Sequence, residues 1–201
     1  MREIVRVVLV LLLAAGSISL AGCALPAAQA PALYDLGPTR PISGLPALPA
    51  ISVAEVGGPA WLDRPLMYYR LNYQNDQQLR PYAHNRWTTP PAQLILQRLK
   101  ERIALANGTV LPASDGAANL PLLRLEADDF TQSFGAPGQS TGRVALRASL
   151  LKGRVLIAQK TFVGQAPAPS ADASGGAHAL AAASDAAIAD LMHWLASLPL
   201  K

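Results

Sequence analysis

Hydrophobic and polar positions change rhythm several times along the chain. Val7 to Leu13 is an unbroken run of Val and Leu, continued by small and apolar residues to Leu20. From Cys23 to Pro49 the periodicity disappears among Ala and Pro. Only Leu33-Tyr34-Asp35-Leu36 has strand-like order there. Such composition buries too little surface to fold alone, which predicts an extended tether over residues 23–49, with Tyr34 and Leu36 as a first edge strand. Alternation begins at Ile51-Ser52-Val53-Ala54, a strand closed by Gly57-Gly58-Pro59. Leu66 to Leu71 is a second strand, with Met67, Tyr69 and Leu71 on one face and Leu66, Tyr68 and Arg70 on the other.

The period then switches to that of a helix. Thr89 is placed to cap it and Pro90 to occupy its first position, where a missing N–H costs nothing. Ala92, Leu96, Leu99, Ile103 and Ala106 recur at helical spacing, Gln97, Lys100 and Glu101 face away, and Asn107-Gly108 supplies the stop. Three strands follow, over Leu122 to Phe134, Arg143 to Leu151 and Arg154 to Val163. Lys152-Gly153 makes a hairpin turn between the last two. In the first, the apolar phase moves from Leu123 and Leu125 to Phe130 and Phe134, which predicts a bulge at Asp128 and Asp129. Ala166 to Gly176 reads as a loop. A last helix from Ala177 carries Ile188, Leu191, Met192, Leu195 and Leu198 on one stripe. Two helices covering one face of a mainly antiparallel sheet make a two-layer α+β domain over residues 50–201.

The first segment carries targeting chemistry. Arg2 and Arg6 precede a short apolar core, and a membrane span would need about 20 apolar residues with flanks on both sides. This pattern predicts a signal peptide over residues 1–22. Leu20-Ala21-Gly22-Cys23 resembles the bacterial lipobox, in which small residues fit the peptidase and the Cys23 thiol takes a diacylglyceryl group. Two or three acyl chains hold a protein stably on a bilayer. Ala24 follows, where an Asp would favour inner-membrane retention in the enterobacterial rule. The expectation is therefore the periplasmic face of the outer membrane.

Composition removes other classes. The net charge of +4 is scattered, with no Lys/Arg run and no aromatic-basic interleaving, so there is no nucleic-acid footprint. Cys23 is the only cysteine, which leaves no internal disulfide and no zinc spacing. No metal or cofactor is expected.

Gly138-Gln139-Ser140-Thr141-Gly142 matches the G-x-S-x-G elbow of hydrolases, and Asp172, Asp185, His178 and His193 follow in the order of a triad. That elbow needs a helix after the serine, whereas the next residues here alternate as a strand, so Ser140 reads as a hairpin residue. Asp128 and Asp129 point to opposite faces with no His beside them, which suits exposed bulge positions. His84 and His193 read as surface and boundary residues. The aromatic group Trp61, Tyr68, Tyr69, Tyr73, Tyr82 and Trp87 packs around the first helix or forms an interface, since Tyr and Trp enrich binding surfaces. Trp61, Asp63, Arg64, Tyr69, Tyr82, Arg86 and Trp87 are the candidate partner-binding residues.

Taken in order, several features resemble the ABC-type transport auxiliary lipoproteins. They are the lipobox, Tyr34-Asp35-Leu36, Ile51-Ser52-Val53, Trp61-Leu62-Asp63-Arg64-Pro65 before Met67-Tyr68-Tyr69-Arg70, the Tyr82–Trp87 segment and His193-Trp194-Leu195 in the closing helix. The resemblance implies a periplasmic partner with an MCE domain, which forms a tunnel or shuttle for lipid, and an ABC ATPase with its permease. It implies an accessory role without catalysis, and ring-like self-assembly would suit a tunnel's end. Two other readings stand beside it: a structural envelope lipoprotein binding peptidoglycan or an assembly complex, and a secreted serine hydrolase using Ser140.

Overall fold

The longest alternating stretches build the centre of the fold. In a computed structural model that describes residues 30–116 and 120–199, with Met1, Arg2 and Ile4 besides, Leu122–Ala136 (β6), Gln139–Lys152 (β7) and Val155–Pro167 (β8) form an antiparallel meander. Leu20, Ala21, Gly22 and Cys23 lie outside the described residues. Along β7, Val144, Leu146, Ala148 and Leu150 are buried while Arg143, Arg147 and Ser149 are partly exposed. β6 changes phase as its sequence indicates. Leu123, Leu125 and Ala127 are buried before Asp128, and Phe130, Gln132 and Phe134 after it. The register steps from Ala127 opposite Leu146 to Asp129 opposite Ala145, so Asp128 is the extra residue of a bulge.

The other edge of β6 is shared by two strands. Ile51–Val53 (β2) pairs in parallel with its start at Leu122 and Leu123, and Leu66–Leu71 (β3) in parallel with its end at Gln132 to Phe134. Asn75–Trp87 (β4) runs antiparallel to β3, and Ala32–Tyr34 (β1) pairs in parallel with the end of β4. Val110–Pro112 (β5) completes the sheet beside β2. The sheet is therefore mixed: its long ladders are antiparallel, but short parallel pairings insert the elements that precede β6. β4 and β5 escape sequence reading for a physical reason. β4 is mostly exposed and shows no apolar alternation, and Pro81 falls inside it beside a register shift, where a missing N–H is tolerated.

Two helices share the core with the sheet. Pro91–Leu105 (α1) begins one residue later than expected: Pro90 is the capping residue, Pro91 the first helical one, and Thr89 makes no cap. It ends where expected, with Asn107 at φ 58° and the Gly108 N–H bonded to the Ile103 carbonyl. Ala173–Ala196 (α2) starts earlier than Ala177, because Asp172 accepts from the Gly175 N–H at 2.7 Å and nucleates the first turn. It lies across β6, β7 and β8. Gly142 lets it approach, since a Cβ there would stand 2.6 Å from the Ala179 carbonyl carbon. Ile95, Leu99 and Ile103 of α1 and Ile188, Leu191 and Met192 of α2 join Ile51, Leu123, Leu125 and Leu146 in one cluster. Among the described residues no helix is long and apolar enough to cross a membrane.

From Pro31 on, the segment expected as an extended tether packs with the domain. Residues 31–201 form one compact unit, and Leu36 and Leu48 are buried in its core. An irregular strap from 36 to 48 crosses α1, held by contacts that composition alone does not reveal.

Candidate functional site

Candidate residues collect in two buried polar clusters and one aromatic edge. The first cluster centres on Gln132, which the bulge at Asp128 turns inward. Its Oε1 accepts from the Tyr82 hydroxyl at 2.9 Å, and its Nε2 donates to Ser140 Oγ at 2.8 Å and to the Asp172 carbonyl at 3.1 Å. One amide thus ties β4, β7 and the start of α2 to β6. Burial, and then the neighbouring Tyr69 and Asp172, push the Tyr82 hydroxyl above its ordinary range. It remains a neutral donor at any working pH. The Gly175 N–H and then the Ser170 hydroxyl hold the Asp172 carboxyl below its ordinary range.

Ser140 is thereby placed in a ladder, opposite Phe134, rather than on an elbow between strand and helix. Gly138, at φ 76°, forms the β6–β7 turn, and Gly142 is where α2 crosses. Both glycines of the apparent elbow thus have structural tasks. Asp172 caps a helix, and His193 bonds the Ala189 carbonyl through Nδ1 at 2.8 Å. His178 and His84 are exposed.

The aromatic candidates separate. Trp87 is in the core, 1% exposed and 5.3 Å from the Phe130 ring, which removes it from any surface contact. Its place at the end of β4, against Phe130 of β6, decides this. Tyr69 packs on Tyr82 at 4.6 Å and on Phe134 at 5.9 Å, around the Gln132 cluster. Tyr68, the neighbouring strand residue, points the other way and meets Trp61 edge-on at 5.4 Å. Trp61 sits on the 3-10 turn Ala60–Asp63, with Asp63 and Arg64 exposed beside it. Arg86 turns back onto the carbonyls of Tyr82 and Asn85 at 2.5 and 2.8 Å.

The acidic pair at the bulge behaves as two separate residues. Asp128 is exposed and bonds Arg147 at 3.1 Å. Asp129 is half-buried, and burial raises its carboxyl against the opposing effects of Thr131 and Arg143. No group of three metal-ligating residues occurs among the described residues.

The second cluster is one that sequence reasoning missed. Arg98 and Arg102 lie on the buried side of α1, each 2% exposed. Arg98 donates to the Leu36 carbonyl, to the Gly37 carbonyl at 2.8 Å and to Thr39 Oγ1 at 2.5 Å. Arg102 donates to the Arg40 carbonyl and grips Asp185 of α2 through Nε at 3.1 Å and Nη2 at 2.7 Å. The Thr39 hydroxyl donates on to Glu101, whose carboxyl is held low, first by that bond. The strap has no ladder of its own here, so two guanidinium forks take the place of strand partners for its buried carbonyls. The signal was present in the sequence: Arg98 and Arg102 stand four apart, flanking the Leu99–Ile103 stripe.

Comparison with known proteins agrees with this architecture. The sequence model of the ABC-type transport auxiliary lipoprotein component matches residues 33–193. A Xanthomonas campestris protein of solved structure shares the fold at TM-score 0.67 and 18% identity, over 83% of this chain and 92% of that one. A second solved structure, of an uncharacterized protein, does so at 0.64 and 14%, over 83% and 99%. No curated protein matches the chain. With the match running from the edge strand β1 to the last turns of α2, the chain belongs to the ABC-type transport auxiliary lipoproteins.

Proposed function

We propose that the protein is anchored through lipid on Cys23 to the periplasmic face of the outer membrane and serves there as a non-enzymatic accessory component of an MCE/ABC-type system that moves lipid between membranes. The family match over residues 33–193 carries this reading, joined to Leu20-Ala21-Gly22-Cys23 ahead of the domain. The partner with the MCE domain meets the edge made by half-buried Trp61 and Tyr68 with exposed Asp63 and Arg64, an aromatic pair with a polar rim of the composition found at interfaces.

A two-part experiment tests it. Growth with an alkyne fatty acid should label the wild type and leave Cys23→Ser unlabelled. Affinity capture of the labelled protein from solubilised envelope should recover a protein with an MCE domain. Trp61→Ala with Arg64→Glu should reduce that recovery severalfold. Capture of peptidoglycan or of an assembly complex in its place, with outer-membrane permeability unchanged on deletion, would sink the transport reading.

A further inference from the structure

The turn between β7 and β8 breaks the rule that the rest of the surface keeps. Val155, Leu156 and Ile157 are consecutive and 64%, 54% and 39% exposed. Among the described residues, the other large exposed apolar side chains of the domain stand singly along the chain, which is ordinary for a protein surface. Leu150 pairs with Ala158 and Leu151 with Leu156, so Ile157 is the extra residue of a bulge that sets the tip apart from the strand behind it.

Charge along the chain through the tip has one sign. No Asp or Glu occurs between Asp129 and Asp172, while Arg143, Arg147, Lys152, Arg154 and Lys160 all fall in that stretch. Arg143 pairs with Asp129, and Arg147 with Glu126 and Asp128, on the body of the sheet. Exposed Lys152 and Arg154 flank the three apolar residues, and exposed Lys160 follows on the same strand. Added strands are disfavoured at this edge, since the bulge, Lys160 and the final Pro167 are devices that guard an edge against pairing. An apolar tip with a basic collar instead matches an anionic interface, with acyl boundary below and headgroups around.

Chain length brings such an interface within range. The domain begins at Pro31, and the eight steps from Cys23 reach at most about 28 Å. The 15-residue β6 alone runs about 50 Å. A domain of that size on so short a lead stays at the headgroups.

We propose that the Lys152–Ile157 turn is a second, protein-borne contact with the bilayer that holds the acyl anchor. Val155, Leu156 and Ile157 enter the headgroup–acyl boundary, and Arg154 with Lys152 meets anionic phospholipid. This contact fixes the orientation of the domain and so the direction in which its other surfaces face. It rests on the reading of Cys23 as the anchor.

Because Cys23 is the only cysteine, an acylated chain carrying Leu156→Cys offers one thiol for an environment-sensitive fluorophore. The full acylated protein is placed in vesicles of phosphatidylethanolamine and phosphatidylglycerol. Gln77→Cys on exposed β4 serves as the reference. The probe at 156 should shift to the blue and be quenched by lipid-borne nitroxide, while that at 77 does neither. Arg154→Gln should lower the inserted fraction about fivefold, as should replacing the vesicles by phosphatidylcholine alone. Val155→Asp with Ile157→Asp should abolish insertion without changing flotation. A floated protein whose probe at 156 is as wet as that at 77 overturns the proposal. Protection of the probe in native envelope but not in vesicles overturns it too, and assigns the tip to a protein partner. A chain that fails to float, with an unacylated Cys23 carrying a second probe, overturns the anchor itself and the tip contact with it.

Discussion

Around Arg98 and Arg102 the buried polar atoms are charged and face a chain without secondary structure, whereas around Gln132 they are neutral and face two ladders and a helix start. Both clusters join segments distant in sequence. They differ in what failure would leave behind. Removing Gln132 frees two hydroxyls, of Tyr82 and Ser140, and the Asp172 carbonyl, all on elements that have other bonds. Removing Arg102 leaves Asp185 beside a single guanidinium at 3.6 Å and the Arg40 carbonyl without its donor. Charged clusters are therefore suited to pinning a strap that has nothing else, and neutral ones to aligning elements already formed.

The largest expected effect comes from the charged side. Arg102→Ala should lower unfolding free energy by about 3 kcal/mol or more, as breaking a buried ion pair from one side does. It should also open residues 36–48 to limited proteolysis before the sheet unfolds. Urea titration and mapping of the first cuts measure both. Gln132→Leu should cost less, about 1–3 kcal/mol for the unpaired partners, and leave the strap protected. A cost above that of Arg102→Ala would reverse the comparison. Asp172→Ala should be mildest, about 1 kcal/mol for the lost cap. Its sign with pH is fixed. Because the folded carboxyl is held low by the Gly175 N–H and Ser170, its contribution is full above the ordinary carboxylate range and fades as the pH falls through the lowered value. The difference in thermal midpoint between wild type and variant should therefore close in acid. A difference that persists there would show that the carboxylate is not the group that matters.

Much of the fold is legible where burial is one-sided. β6, β7, the bulge at Asp128 and the apolar stripes of both helices follow from alternation or helical spacing, because one face meets the core and the other meets water. β4 is not legible, since most of it is exposed and it is held by the ladder with β3 rather than by its side chains. The aromatic candidates show the same division. Trp61, Tyr69 and Tyr82 were recognisable as a group, but neighbouring strand positions send Tyr68 and Tyr69 to opposite faces, and Trp87 is sealed inside.

The sequence by itself determined the periodicities that build the meander and its two helices, because amphipathic repeats and turn residues act within a few positions. It also carries the family resemblance and the lipobox pattern ahead of the domain. Tertiary structure alone decided that residues 36–48 belong to the domain and that Gly142 serves a helix crossing. It also decided that Val155, Leu156 and Ile157 stay outside the core. Those outcomes depend on which distant surface is left to cover a residue, and a chain read in order does not contain that information.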